Sequence, residues 1–67
     1  MPTAEALARL QQADQNMKAA QQAHLAFTER PGRTFSTEER AENRRLLDRI
    51  DQSIAEYWQA FEQAAQS

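Results

Sequence analysis

Residues 4–27 read AEALARLQQADQNMKAAQQAHLAF. Within this stretch Ala6, Leu10, Ala13, Met17, Ala20, His24 and Phe27 fall alternately four and three residues apart. That spacing keeps a single seam on one side of a helix, and alanine recurs every seventh residue along it. A second run, Leu47, Ile50, Ile54, Tyr57, Phe61 and Ala64, keeps the same rhythm with larger side chains. Between the two lies Glu29-Arg30-Pro31-Gly32-Arg33, where Pro31 disfavours helix at Arg30 and Gly32 can take the positive φ of a tight turn. The pattern predicts an all-α antiparallel hairpin, one helix small along its seam and the other bulky.

The boundaries follow from capping chemistry. Thr3 is placed to accept a hydrogen bond from a first-turn amide, and Glu5 favours the positive end of the helix dipole. Helix one is expected over about residues 3–28, with a connector over 29–36. Ser36-Thr37-Glu38-Glu39 is a capping box, so helix two is expected over about 37–66. Alanine and glutamine supply 22 of the 67 residues, and valine is absent, which favours helix over strand throughout. The reading is one helical-hairpin domain over residues 1–67. The short connector rules out a parallel pair. Antiparallel pairing sets Ala20 near Asn43 and Leu47, Ala13 near Ile50 and Ile54, and Ala6 near Tyr57 and Phe61.

A two-helix chain of this size buries little, and with no cysteine it has no disulfide to compensate. Leu7, Leu46, Trp58 and Ala65 flank the seams, and Leu25 lies well off them. Helix two is apolar over more than about 100°, wider than one neighbour covers. Tyr57 and Trp58 are adjacent and cannot both face helix one. Self-association into a dimeric four-helix bundle is therefore expected. Leu7, Tyr57, Trp58 and Phe61 are the candidate interface, because aromatic anchors dominate such surfaces.

No residue set amounts to a catalytic, metal or cofactor site. His24 is the single histidine. It has neither a second imidazole nor a thiol beside it, and its expected role is a bond to Asn43 or water near the turn. Asn43 sits on the extrapolated seam, where a polar residue can fix register at some cost in stability. On that basis, Asn43→Leu should raise the melting temperature and broaden the oligomer distribution. Gln11, Gln15 and Gln22 form a nearly uncharged row on helix one.

Formal net charge is −2, but it is unevenly spread. Arg30, Arg33, Arg40, Arg44, Arg45 and Arg49 cluster around the turn, whereas only Asp51, Glu56 and Glu62 are charged after Ile50. Arg40, Arg44, Arg45 and Arg49 are a candidate basic patch for a dimeric nucleic-acid-binding regulator. The acids Glu38, Glu39, Glu42 and Asp48 interleave with it and argue against phosphate tracking. Arg44–Asp48 and Glu42–Arg45 have the spacing of surface pairs. No apolar run approaches the roughly 20 residues of a membrane span. Met1 to Glu5 lack the basic and apolar regions of a secretory signal. These features predict a soluble, cytoplasmic protein whose partner is itself or another protein.

The stretch GRTFSTEERAENRRLLDRIDQSIAEYW, Gly32 to Trp58, resembles two kinds of tailed-phage protein. One is the helical scaffolding segment that opens many phage major capsid proteins. There a Ser/Thr-x-Glu-Glu start leads into a Leu- and Ile-spaced helix, as Ser36, Glu38, Glu39, Leu47, Ile50 and Ile54 do here. The other is a class of small head-to-tail proteins, matched by Gly32, Arg33, Thr37, Tyr57 and Trp58. The resemblance implies a phage or prophage protein without chemistry, either a small assembly component or an inhibitor or adaptor that binds a host protein. A secretion-type chaperone is a further possibility for an acidic hairpin.

Overall fold

The computed structural model describes residues 2–29 and 35–66. The connector residues 30–34, including Pro31 and Gly32, lie outside the described residues. Two helices form, α1 over Ala4–Thr28 and α2 over Thr37–Gln66. They fold back on each other as an antiparallel hairpin with Cα extents of 50 × 16 × 11 Å.

Both helix starts are closed by side chains. Thr3, with extended backbone at φ −75° and ψ 159°, accepts from the Ala6 amide through Oγ1 at 3.0 Å. At the start of α2 the capping box closes in both directions. The Glu39 amide donates to Ser36 Oγ at 3.1 Å, and the Ser36 amide donates to Glu39 Oε1 at 2.9 Å. Two of the amide donors that a helix start leaves unpaired are thus satisfied. The last turn of α1 tightens on the Leu25 carbonyl, which accepts from the Glu29 amide at 2.9 Å and the Thr28 hydroxyl at 3.0 Å. Phe35, just ahead of α2, stacks on Phe27 with ring centroids 5.6 Å apart and planes 12° from parallel. This contact joins the last turn of α1 to the approach to α2.

The α1 seam lies where its spacing puts it. Ala6, Ala13 and Ala20 are buried, and Leu10, Met17, His24 and Phe27 are half-buried. The α2 seam differs from the expected one. The buried or half-buried line is Asn43, Leu46, Ile50, Ser53, Tyr57, Ala60 and Ala64, whereas Leu47 and Phe61 remain 42% and 44% exposed. Ile54 is half-buried at the seam's edge.

The reason is that Ile50, Tyr57 and Ala64 belong to two alternating 4–3 tracks. One continues through Leu47, Ile54 and Phe61. The other continues through Leu46, Ser53 and Ala60, about 100° away round the helix. The hairpin takes the smaller track, which lets the two backbones approach closely. Counting from His24 and Asn43, Met17 lies level with Ile50 to Ser53 and Leu10 with Tyr57 to Ala60. Small and large positions therefore alternate along the seam of each helix, rather than one helix being small and the other bulky. Ser53 carries a hydroxyl into this line, only 5% exposed, without leaving it unpaired. Its Oγ donates to the Ile50 carbonyl of its own helix at 2.8 Å.

Candidate interaction face

Leu47, Ile54 and Phe61, left out of the seam's central line, become part of a surface. On α2, Leu47, Asp51, Ile54, Trp58, Phe61 and Ala65 repeat the 4–3 rhythm and point out of one broad side of the hairpin. On α1, Leu7, Gln11, Asp14, Lys18, Gln21 and Leu25 form the matching stripe on that side. Leu7 and Leu25 are 45% and 55% exposed, and Trp58 is 55% exposed. The Trp58 ring meets its neighbours edge to face, with centroids 5.6 Å from both Tyr57 and Phe61. Of the candidate interface, Leu7, Trp58 and Phe61 belong to this face, and Tyr57 belongs half-buried to the seam. Spacing alone puts Leu47 in the core and Leu25 off both seams. Only the folded hairpin brings Leu47 and Leu25, from different helices, onto one side.

The opposite broad side is polar. Asn16, Arg49, Gln52, Ser53 and Glu56 line a shallow groove there. The hairpin thus has one broad side that gathers its exposed large apolar residues, called the apolar side although Gln11, Asp14, Lys18, Gln21 and Asp51 share it, and one polar broad side.

Charged groups sort by the same geometry. Asp14 and Lys18 pair at 2.9 Å on the apolar side, and the hydrogen bond and negative charge of Asp14 raise the Lys18 ammonium above its ordinary pKa of 10.5. The four candidate arginines do not form one patch. At about 100° per residue, Arg40 and Arg44 share a line near the turn end of the apolar side. Arg45 and Arg49 lie roughly 140° away, on the polar side. Arg45 is held by Glu42 at 2.6 Å, whereas Arg44 and Asp48 close no ion pair. Arg30 and Arg33 lie outside the described residues.

At the turn end, His24 Nε2 lies 2.9 Å from Asn43 Oδ1, a histidine–carboxamide bond across the seam. Gln12 donates to Asn16 Oδ1 at 3.0 Å. In the glutamine row, Gln11 lies on the apolar broad side, with Gln15 and Gln22 on the outer edge of α1. Among the described residues no group of three histidine, cysteine, aspartate or glutamate side chains could hold a metal ion. No helix among them is long and apolar enough to cross a membrane.

No family model matches the chain, and neither a curated protein nor a solved structure does.

Proposed function

We propose that this protein is a non-enzymatic protein–protein interaction module whose working surface is the broad side bearing Leu7, Leu47, Trp58 and Phe61. One observation carries the reading: Leu7, Leu25, Leu47, Trp58 and Phe61 are displayed on one side while small residues fill the buried positions. Among the described residues the buried positions are Ala6, Ala13, Ala20, Ser53, Ala60 and Ala64, and no large side chain is fully enclosed. Clustered exposed aromatics rimmed by polar residues are the usual composition of a binding surface.

The resemblance of Gly32–Trp58 to tailed-phage proteins favours a small virion-assembly component, or an adaptor or inhibitor acting on a host protein in the cytoplasm. The nucleic-acid reading ranks lower because Arg40 and Arg44 diverge from Arg45 and Arg49. The test is capture by the purified hairpin as bait, wild type beside Trp58→Ala/Phe61→Ala. A protein retained by the wild type and lost from a variant that keeps its helical circular dichroism is the expected result. Equal capture by both would overturn the assignment of this face.

A further inference from the structure

Resting on that reading, we infer that the occupant of the apolar broad side is a second copy of the same chain, inverted end for end. The result is a four-helix bundle in which α2 lies on α2 and α1 on α1. Size permits it. A side with Cα extents of 50 by 16 Å is broad enough to carry a standard specific interface, which buries about 800 Å² of accessible surface on each partner.

The distribution of charge selects the inverted arrangement. Arg40 and Arg44 stand at the turn end of this side, and Trp58, Phe61 and Glu62 stand toward the free ends. Stacking turn on turn would bring the arginines of both copies together. Inversion sets each Arg44 over the ring of Phe61 in the other copy, where a guanidinium is attracted to the aromatic face.

One register satisfies both helix pairs. On α1 it sets Leu7 against Leu25 of the second copy, Gln11 against Gln21, and Asp14 against Lys18. Every layer is then self-complementary. On α2 the same 4–3 spacing sets Leu47 against Trp58 of the second copy, and Asp51 against Ile54. The α1 pairing centres on Asn16, which the His24–Asn43 bond places level with Asp51. The α2 pairing centres between Gln52 and Ser53. The two centres agree within about 2 Å along the axis, a stagger that small helix tilts absorb.

The register has one unfavourable feature. It brings the two Asp51 carboxylates to about 4.5 Å apart along the axis, beside the twofold. Asp51→Asn therefore strengthens the pairing.

The experiment is sedimentation equilibrium from micromolar to hundreds of micromolar, followed by native mass spectrometry of mixed variants. Asp14 and Lys18 side chains are 36% and 68% exposed, so substitutions there leave the hairpin folded. The wild type is expected to be a dimer. Asp14→Lys alone and Lys18→Asp alone each weaken it roughly tenfold or more, because like charges then face each other. An equimolar mixture of these two variants forms the heterodimer in preference to either homodimer. A wild type that stays monomeric throughout overturns the inference. So does a dimer whose affinity neither variant changes. In the monomer case, bait capture that still depends on Trp58 and Phe61 leaves the interaction reading standing. A dimer insensitive to Trp58→Ala would remove the face itself.

Discussion

His24 Nε2 and Asn43 Oδ1 meet at 2.9 Å across the turn end of the seam, so Nε2–H donates to the carboxamide oxygen and each residue is the other's partner. Taken alone, the seam position of Asn43 predicts that Asn43→Leu stabilises the hairpin. The bond changes that expectation, because removing one partner strands the other, whereas replacing both with apolar groups can be neutral or favourable. Asn43→Leu alone is expected to cost about 1 kcal/mol, since the site is half-buried. The double replacement His24→Leu/Asn43→Leu should be at least as stable as the wild type. Urea denaturation of the four-member cycle checks this, and additive single effects would refute the coupling.

Ala20 is 1% exposed, the most enclosed side chain among the described residues. Ala20→Leu is expected to cost about 1–3 kcal/mol by forcing the helices apart. Ser53→Ala, on the facing line, should stay within about 0.5 kcal/mol of wild type. It loses only a bond to its own helix and gains helix propensity. Thermal denaturation of both variants separates the predictions. A neutral Ala20→Leu would mean that the small track does not set the helix spacing.

These two residues also show what sequence could and could not reveal. Helix number, antiparallel order and both N-caps are local properties, written in Thr3, Ser36, Glu39 and the alanine repeat. The α1 seam was legible because its alternative track, through Gln11, Asp14 and Lys18, is polar. On α2 both tracks through Ile50 and Tyr57 are plausible. Hydrophobicity favours Leu47, Ile54 and Phe61, and the hairpin instead buries Ser53 and Ala60. Single-helix periodicity carries no information about how closely α1 can approach, and that distance decides between the tracks. The composition of the candidate face therefore became visible only in the folded hairpin, though Leu7, Trp58 and Phe61 were identifiable beforehand. Phe35 stacking on Phe27 crosses the connector and has no periodic signature at all.

The two caps should act independently, being at opposite ends of the hairpin. Thr3→Ala and Ser36→Ala are each expected to cost about 1 kcal/mol, through loss of the bonds to the Ala6 and Glu39 amides. Their effects should add. Hydrogen exchange gives a local check: Ala6 should lose protection only in the first variant and Glu39 only in the second.

Lys18 offers a pH-dependent test of the surface pair. Asp14 raises its pKa above 10.5, so the charged form is favoured by folding. The associated stabilisation is complete below the unfolded-state pKa and disappears as pH rises through the folded value. It is therefore constant through neutrality and lost only in strongly alkaline solution. Asp14→Asn should return the Lys18 titration, followed by NMR at its Cε, to the ordinary range. An unchanged midpoint would show that the pair does not persist in solution.

The arginines supply the last test. A protein that tracks phosphates needs several guanidinium groups along one line, and each contact adds to the steepness of salt dependence. Here Arg40 and Arg44 face one broad side and Arg45 and Arg49 the other, with Arg45 already engaged by Glu42 at 2.6 Å. Duplex RNA or DNA should therefore show no gel shift with the hairpin, even at low salt. If a shift did occur, comparing Arg40→Gln/Arg44→Gln with Arg45→Gln/Arg49→Gln would locate it. Loss in only the first variant would put the nucleic acid on the apolar side, in competition with a protein partner. Loss in both would require a surface that wraps the turn end, and would reinstate the regulator reading over the interaction module.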